Sequence, residues 1–256
     1  MSRFLASFPV RYQDTDVNLR ATPAALVGAM QEAAILHSET LGRGIDWLLQ
    51  RGWGWMIVQT RARVLHPARW RTELRVCTWP SEMGRVLSRR EFVITDAHAL
   101  ELVRATTHWA FMDRRVKRVA RVPAEVASAY PVDAERALPL SFGRPAPCDR
   151  PAWESRFPVG HRDIDSNHHV NNLRYLEWMI ETLPPEIPAR WTLHEINIRF
   201  QQETPPGGSV RTEVQELPCP TQGPDSALPV RRFALQVINA SGGVAASAEM
   251  HWQGPA

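Results

Sequence analysis

The sequence predicts an α+β chain made of two copies of one unit, each a long helix followed by antiparallel strands. Three observations predict it. Phe8-Pro9-Val10-Arg11-Tyr12-Gln13-Asp14-Thr15-Asp16-Val17-Asn18 returns as Phe157-Pro158-Val159-Gly160-His161-Arg162-Asp163-Ile164-Asp165-Ser166-Asn167, 149 residues later, with Phe, Pro, Val, both Asp and Asn kept. Each copy leads into an apolar stretch of helical period that opens on a capping residue. Each helix is followed by four runs rich in β-branched and aromatic residues, the composition of strands.

The first helix takes Thr22 as its cap and Pro23 as its first residue, with Leu26, Met30, Ala33 and Ala34 at helical spacing and Gly42 and Gly44 at its end. Strands are expected over 55–64, 73–78, 86–95 and 102–111. From about 122 to 151 the chain carries Pro123, Pro131, Pro139, Pro145, Pro147 and Pro151, which breaks regular structure and reads as the connection between repeats. The second helix is capped by Asn171, places Leu173, Leu176, Ile180 and Leu183 on one face, and stops at Pro184-Pro185. Tyr175, Trp178 and Met179 widen that face, so this helix is expected to be wrapped by a sheet. Strands follow over 193–200, 210–216, 230–239 and 244–252.

The strands also match in pairs: Arg71-Thr72-Glu73-Leu74 with Arg211-Thr212-Glu213-Val214 at an offset of 140, and His108-Trp109 with His251-Trp252 at 143. The falling offset implies a longer helix-to-strand connection in the first half, around Gly44 to Gly54. The expected organisation is an N-terminal unit over 1–122, a Pro-rich linker over 123–152 and a C-terminal unit over 153–256. One helix cradled by an antiparallel sheet, given twice, is the pattern of a tandem (double) hot-dog. Two such sheets can pair edge to edge and hide edges that invite aggregation, so the chain is expected to be a monomeric pseudo-dimer or a homodimer.

A chain of 256 residues buries roughly 70–75% of its unfolded surface and needs no covalent staples. Cys77, Cys148 and Cys219 fit neither a disulfide framework nor a zinc ligand set, which suggests a reducing compartment. No run of about 18 apolar residues and no signal-like start occur, so a soluble, cytoplasmic protein without membrane association is expected. A net charge of +3 gives no ground for nucleic-acid binding. The cluster Arg114-Arg115-Val116-Lys117-Arg118-Val119-Ala120-Arg121 reads either as a solvated strand end or as a docking patch for an acidic partner.

Past the repeated Asn the copies diverge: the second continues His168-His169-Val170-Asn171-Asn172 where the first has Leu19-Arg20-Ala21-Thr22-Pro23. Asp163-Ile164-Asp165-Ser166-Asn167 opens like a calcium loop, but His168 and Arg174 stand where that loop needs Gly and Glu. His161, His168 and His169 lack the spacing of a zinc site. Asp and Asn ahead of a helix cap backbone N–H groups, which accounts for the residues kept in both copies. It leaves His169 unexplained. A helix start offers unpaired N–H groups and positive potential to an oxygen that gains charge during acyl transfer. The Val170 and Asn171 N–H groups are therefore the expected oxyanion site, with His169, Asn167 and Asp165 beside it.

Asp165-Ser166-Asn167-His168-His169-Val170-Asn171-Asn172, followed by an aromatic-rich helix, resembles the active-site segment of the acyl-ACP thioesterases. The resemblance extends to Gln31-Glu32-Ala33-Ala34, His37-Ser38-Glu39-Thr40-Leu41-Gly42, Cys77-Thr78-Trp79-Pro80, Arg89-Arg90-Glu91-Phe92, Thr107-His108-Trp109-Ala110-Phe111-Met112-Asp113 and Arg118-Val119-Ala120-Arg121-Val122-Pro123. It implies a tandem hot-dog hydrolase that releases free fatty acid from acyl carrier protein, ending chain elongation, with no metal or organic cofactor. The alternatives are an acyl-CoA thioesterase and a non-catalytic acyl-binding protein. The resemblance further implies Asp165, Asn167, His169 and Glu203 as the site, Glu203 lying on a strand, with Thr204 where plant members often have Cys. It implies an acyl pocket in the first unit, with Leu26, Met30, Trp55 and Ile57 as candidate lining, and carrier-protein docking by Arg114, Arg115, Lys117 and Arg118. Without a transit peptide the chain reads as a bacterial-type member. Arg20 and, by the 140-residue offset, Arg63 stand at the first half's histidine and glutamate positions, leaving one site per chain.

Overall fold

The computed structural model describes residues 2–138, 143–166, 168–219 and 228–255. The chain divides into two compact units, Met1–Thr15 with Leu19–Ser141 and Asp16–Asn18 with Phe142–Ala256. The N-terminal unit runs β1 (Phe4–Pro9), α1 (Pro23–Thr40), α2 (Ile45–Gln50), β2 (Trp53–Val64), β3 (Glu73–Met83), β4 (Leu87–Thr95), β5 (Glu101–Asp113), β6 (Arg118–Val119) and α3 (Ala124–Ala127). The C-terminal unit runs β7 (Trp153–Pro158), α4 (Asn172–Glu181), α5 (Glu186–Arg190), β8 (Thr192–Phe200), β9 (Ser209–Leu217), β10 (Val230–Ile238) and β11 (Val244–Gln253).

Both units are hot-dogs with one strand order. The N-terminal sheet runs β1-β3-β4-β5-β2 with β6 beside β5, all antiparallel. The C-terminal sheet runs β7-β9-β10-β11-β8, also antiparallel throughout. In each case the order is first, third, fourth, fifth, second. β1 and β7 are edge strands that the strands expected from the sequence do not include. Phe4, Ala6 and Phe8, like Trp153, Ser155 and Phe157, alternate half-buried with exposed neighbours, which is the period of a strand on a core.

Thr22 caps α1 through its hydroxyl, which accepts from the Ala25 N–H at 3.2 Å. Asn171 caps α4 by accepting from Leu173 N–H at 2.9 Å. Such caps contribute about 1 kcal/mol each. α1 ends with Gly42 at φ +65°, a left-handed turn that glycine adopts without a Cβ clash. α1 has 18 residues and α4 has 10, since Pro184-Pro185 cannot continue the second helix. α4 buries Tyr175, Leu176, Trp178 and Met179, with Leu173 and Ile180 only half-buried, so its core face is centred on the aromatic residues.

Strand register corrects the sequence alignment. Phe4 pairs with Thr78 and Trp153 with Val214, so Thr78 corresponds to Val214 and the offset there is 136, not 140. The Arg-Thr-Glu match is out of register by four residues. The 143-residue match at His108 and His251 agrees with the pairing: Thr60 lies across from Thr107 as Ile196 lies across from Met250. The drop from 149 to 136 puts 13 extra residues of the first half between helix cap and sheet, shared between the longer α1 and the connection to β2.

The expected linker is also corrected, because 123–138 folds onto the N-terminal unit and 143–152 onto the C-terminal one. Val126 and Tyr130 bury against Leu48, Phe111 and Val122. Glu91, fully buried, accepts from Ser81 Oγ at 2.6 Å, from the Ala137 N–H at 3.1 Å and from Thr106. On the other unit Glu249 accepts from the Ala146 N–H at 3.2 Å, and Gln236 donates to Cys148 O at 3.3 Å. Prolines deny this stretch its own ladder, and described backbone groups in it bond instead to the sheets, Asp133 N–H to Pro80 O at 3.0 Å and Ala152 N–H to Val214 O at 2.8 Å among them.

Candidate active site

The repeated motif builds the same turn twice. Asp163 accepts from the Gly160 N–H at 2.8 Å and its carbonyl from the Asn171 N–H at 2.8 Å. Asp14 does the same with Arg11 N–H at 3.2 Å and Thr22 N–H at 2.9 Å. The first kept Asp is therefore a turn brace in both copies. His168 and Leu19 occupy equivalent left-handed positions, φ +62° and +58°, a conformation costing about 1 kcal/mol outside glycine. Ile164 bridges Val170 as Thr15 bridges Ala21. Both turns thus throw the next residue, His169 or Arg20, out just ahead of the helix.

What stands opposite differs. The Val170 N–H donates to Thr204 O at 3.1 Å, and the Ala21 N–H to Ala68 O at 2.9 Å. This fixes Ala68 as the counterpart of Thr204 and Pro67 as the counterpart of Glu203. The assignment of Arg63 is corrected: Arg63 lies within β2, paired with Arg104. Glu203 sits three residues beyond the end of β8 rather than on a strand. Its segment is anchored on one side by Gln201 N–H to Ala245 O at 2.8 Å and on the other by the Thr204 carbonyl.

Between these anchors the structure brings His169 Nε2 to 2.9 Å from Glu203 Oε2. The imidazole is mostly sheltered, with 24% of its side chain exposed, and the carboxylate is half exposed. Asp165 is half-buried in the same turn: its N–H donates to His169 O at 2.9 Å and its carbonyl accepts from His168 N–H at 3.0 Å. Asn167 lies outside the described residues. The proposed oxyanion donors are corrected, because the N–H groups of Val170 and Asn171 are both spent on backbone carbonyls, Thr204 O and Asp163 O. Leu173 N–H is taken by the cap and Arg174 N–H by Asn171 O. In the first turn of α4 the Asn172 N–H alone donates to no described residue.

Tyr175 was read from the sequence only as core, yet its buried phenol lies beside the Thr204 hydroxyl and main chain. Burial raises its pKa, with the Thr204 contacts opposing the rise and the charges of Glu203 and Asp165 adding to it. The position one turn past the Asn171 cap was the available signal for Tyr175.

Leu26, Met30 and Ile57 are buried in the N-terminal unit, while Trp55 packs edge-on against Phe111 at 4.9 Å in the cluster that holds Tyr130. Arg115, Lys117 and Arg118 are exposed on the β5–β6 hairpin, with Arg114 half-buried and Arg115 paired to Asp113 at 2.7 Å. Among the described residues no group of three His, Cys, Asp or Glu side chains is placed to hold a metal ion, and no helix is long and apolar enough to cross a membrane.

The sequence matches the family model described as the acyl-ACP thioesterase N-terminal domain over residues 2–130 and the one described as its C-terminal domain over 149–254. A chloroplastic acyl-[acyl-carrier-protein] hydrolase of Cuphea viscosissima is 27% identical over 221 residues, covering 78% of this chain and 52% of that protein. The chloroplastic oleoyl-acyl carrier protein thioesterase 2 of Arabidopsis thaliana is 28% identical over 213 residues, covering 77% and 58%. The chain therefore spans about half the length of the curated relatives it matches. Among solved structures, a Lactobacillus plantarum protein superposes with a TM-score of 0.88 at 22% identity, over all of this chain and 97% of that one. The 12:0-ACP thioesterase from Umbellularia californica superposes with 0.84 at 20% identity, over 99% and 94%. At these identities the superpositions establish the fold.

Proposed function

Because the chain belongs to the acyl-ACP thioesterase family, we propose that it hydrolyses the thioester of acyl-[acyl carrier protein], releasing free fatty acid and ending chain elongation. The observation that carries this reading is the 2.9 Å contact of His169 with Glu203 at the start of α4. The thioester carbonyl lies against the helix start, where the Asn172 N–H and the positive end of the helix stabilise the charge that builds on oxygen. A water attacks the carbonyl carbon and yields its proton to the half-exposed Glu203 carboxylate. The C–S bond then breaks, and the pantetheine thiolate takes a proton delivered through His169. Asp165 holds the turn that presents His169, and no metal enters this path.

Relatives named for acyl-carrier-protein substrates, together with the basic hairpin, support the carrier protein as the handle. Carrier proteins are acidic, and a patch of Arg114, Arg115, Lys117 and Arg118 mainly speeds encounter with such a partner. Steady-state hydrolysis of the same acyl group on carrier protein and on CoA tests the reading. Higher kcat/KM on the carrier protein, falling steeply with salt, is expected. A tenfold preference for CoA overturns it.

A further inference from the structure

Because both sheets share one strand order, rows of side chains can be matched between them. In the C-terminal sheet one row crosses β8, β11 and β10 as Ile196, Met250 and Phe233, all fully buried. The matching row of β2, β5 and β4 in the N-terminal sheet is Thr60, Thr107 and Arg90. A place that one copy fills with three large apolar side chains holds two hydroxyls and a guanidinium in the other.

Arg90 is 7% exposed and points at α1, where its Nη1 lies 3.0 Å from Nδ1 of His37 and 3.3 Å from Thr78 Oγ1. Its guanidinium stands 5.8 Å from the centre of the Tyr130 ring. No described carboxylate pairs with it, since the adjacent Glu91 is committed to Ser81, Thr106 and Ala137. Burial lowers the Arg90 guanidinium to about 10 and, with the charge of Arg90, the His37 imidazole to about 4. At neutral pH the group is one cation beside a neutral ring. The Thr60 hydroxyl is fully buried and has no hydrogen-bond partner among the described residues. The Thr107 hydroxyl is occupied, accepting from Trp109 Nε1 at 2.7 Å and donating to Arg90 O at 3.3 Å.

A buried cation without a counter-charge and a buried hydroxyl without a partner both weigh against folding. The C-terminal copy demonstrates that the fold closes without them. We propose that the N-terminal unit binds the carboxylate of an aliphatic chain, with Arg90 as its counter-ion and the Thr60 hydroxyl as a donor to it. Apolar Met30 and Ile57, buried on α1 and β2 of the same unit, suit the chain. That carboxylate has two sources, the head of a free fatty acid or the far end of a carboxylated acyl chain.

Calorimetric titration of the full chain with dodecanoate and with dodecanol is the test. Dodecanoate is expected to bind at least tenfold more tightly, Arg90→Met to remove the difference, and Thr60→Val to weaken dodecanoate alone by twofold to fivefold. Arg90→Lys keeps the charge and should keep the preference, which guards against a Met variant that fails to fold. Equal binding of acid and alcohol by the parent chain, or a preference that survives Arg90→Met, overturns the proposal. These readouts need no turnover, so they stand or fall apart from the thioesterase reading. On that reading, kcat/KM for a dodecanoyl thioester against the same thioester ending in a carboxylate separates the two sources. A tenfold gain assigns the site to the acyl tail, and competitive inhibition by dodecanoate that Arg90→Met relieves assigns it to the free acid.

Discussion

Glu203→Gln removes a charge from the site and changes almost nothing else. The side chain is half exposed and its partner His169 is 24% exposed, so the pair is worth about 0–1 kcal/mol to stability. In a chain of this length that is a Tm shift of about 2–4 °C at most. Turnover should respond on another scale. Loss of a proton acceptor in the transition state costs about 10²–10⁴ in rate, roughly 3–5 kcal/mol at about 1.4 kcal/mol per decade. His169→Ala should cost a similar factor. Because the two side chains act through one 2.9 Å contact, the double variant should be no slower than the worse single by more than about threefold. Thiol release from a saturated acyl-ACP gives the rates and differential scanning calorimetry gives the Tm. Costs that multiply in the double variant, or a single variant within threefold of the parent, refute a shared proton path.

Tyr175→Phe should lower kcat by about 3–10-fold at unchanged KM and shift the acid limb of the pH–rate profile, since it takes a buried phenol from beside Thr204 and the Glu203 charge; an unchanged profile would make Tyr175 plain core. His37 is buried and its pKa is lowered to about 4, by burial first and Arg90 second, so it stays neutral in the folded chain while the unfolded chain protonates near 6.5. Stability from this group is complete above about pH 6.5 and is lost as pH falls toward 4, by a few kcal/mol in order of magnitude. Urea midpoints between pH 7 and 4 should fall, and should fall less in His37→Gln; parallel curves for the two proteins would rule this out.

The repeat, both helix caps and all eight expected strands were legible because each rests on a local pattern: a capping side chain, an apolar period, a β-branched run. β1 and β7 are absent from the sequence reading, because their prolines and the adjoining turn mask the alternation at Phe4 and Trp153. β3 runs on past Thr78 through Pro80, with a bulge before Glu82 that lets a strand carry proline. What could not be read locally is every contact that crosses the chain. Nothing near Val170 announces that its N–H is spent on Thr204 O, so the sequence offers two occupied N–H groups as oxyanion donors. The pairing of His169 with a carboxylate 34 residues away came from family resemblance alone. Four residues of misregister, from a chance Arg-Thr-Glu match, were enough to put Arg63 where Pro67 belongs.

A duplicated chain contains its own control. Where the two copies agree, the shared feature serves the fold: the Asp brace, the left-handed residue ahead of the helix, the cap and the bridge to the strand-end segment all recur in a copy with Arg20 and Pro67. The strained turn therefore did not arise for catalysis, since the copy without a histidine carries the same strain. On the proposed mechanism the chemistry is carried by two side chains on that platform, His169 and Glu203. The same logic runs the other way at the row of Thr60, Thr107 and Arg90, where the C-terminal copy keeps the apolar solution and the N-terminal copy departs from it. The two departures differ in setting, one placing a sheltered imidazole beside a half-exposed carboxylate and the other placing charge in the core. Neither departure is required by the fold, and on the two proposals each serves a ligand.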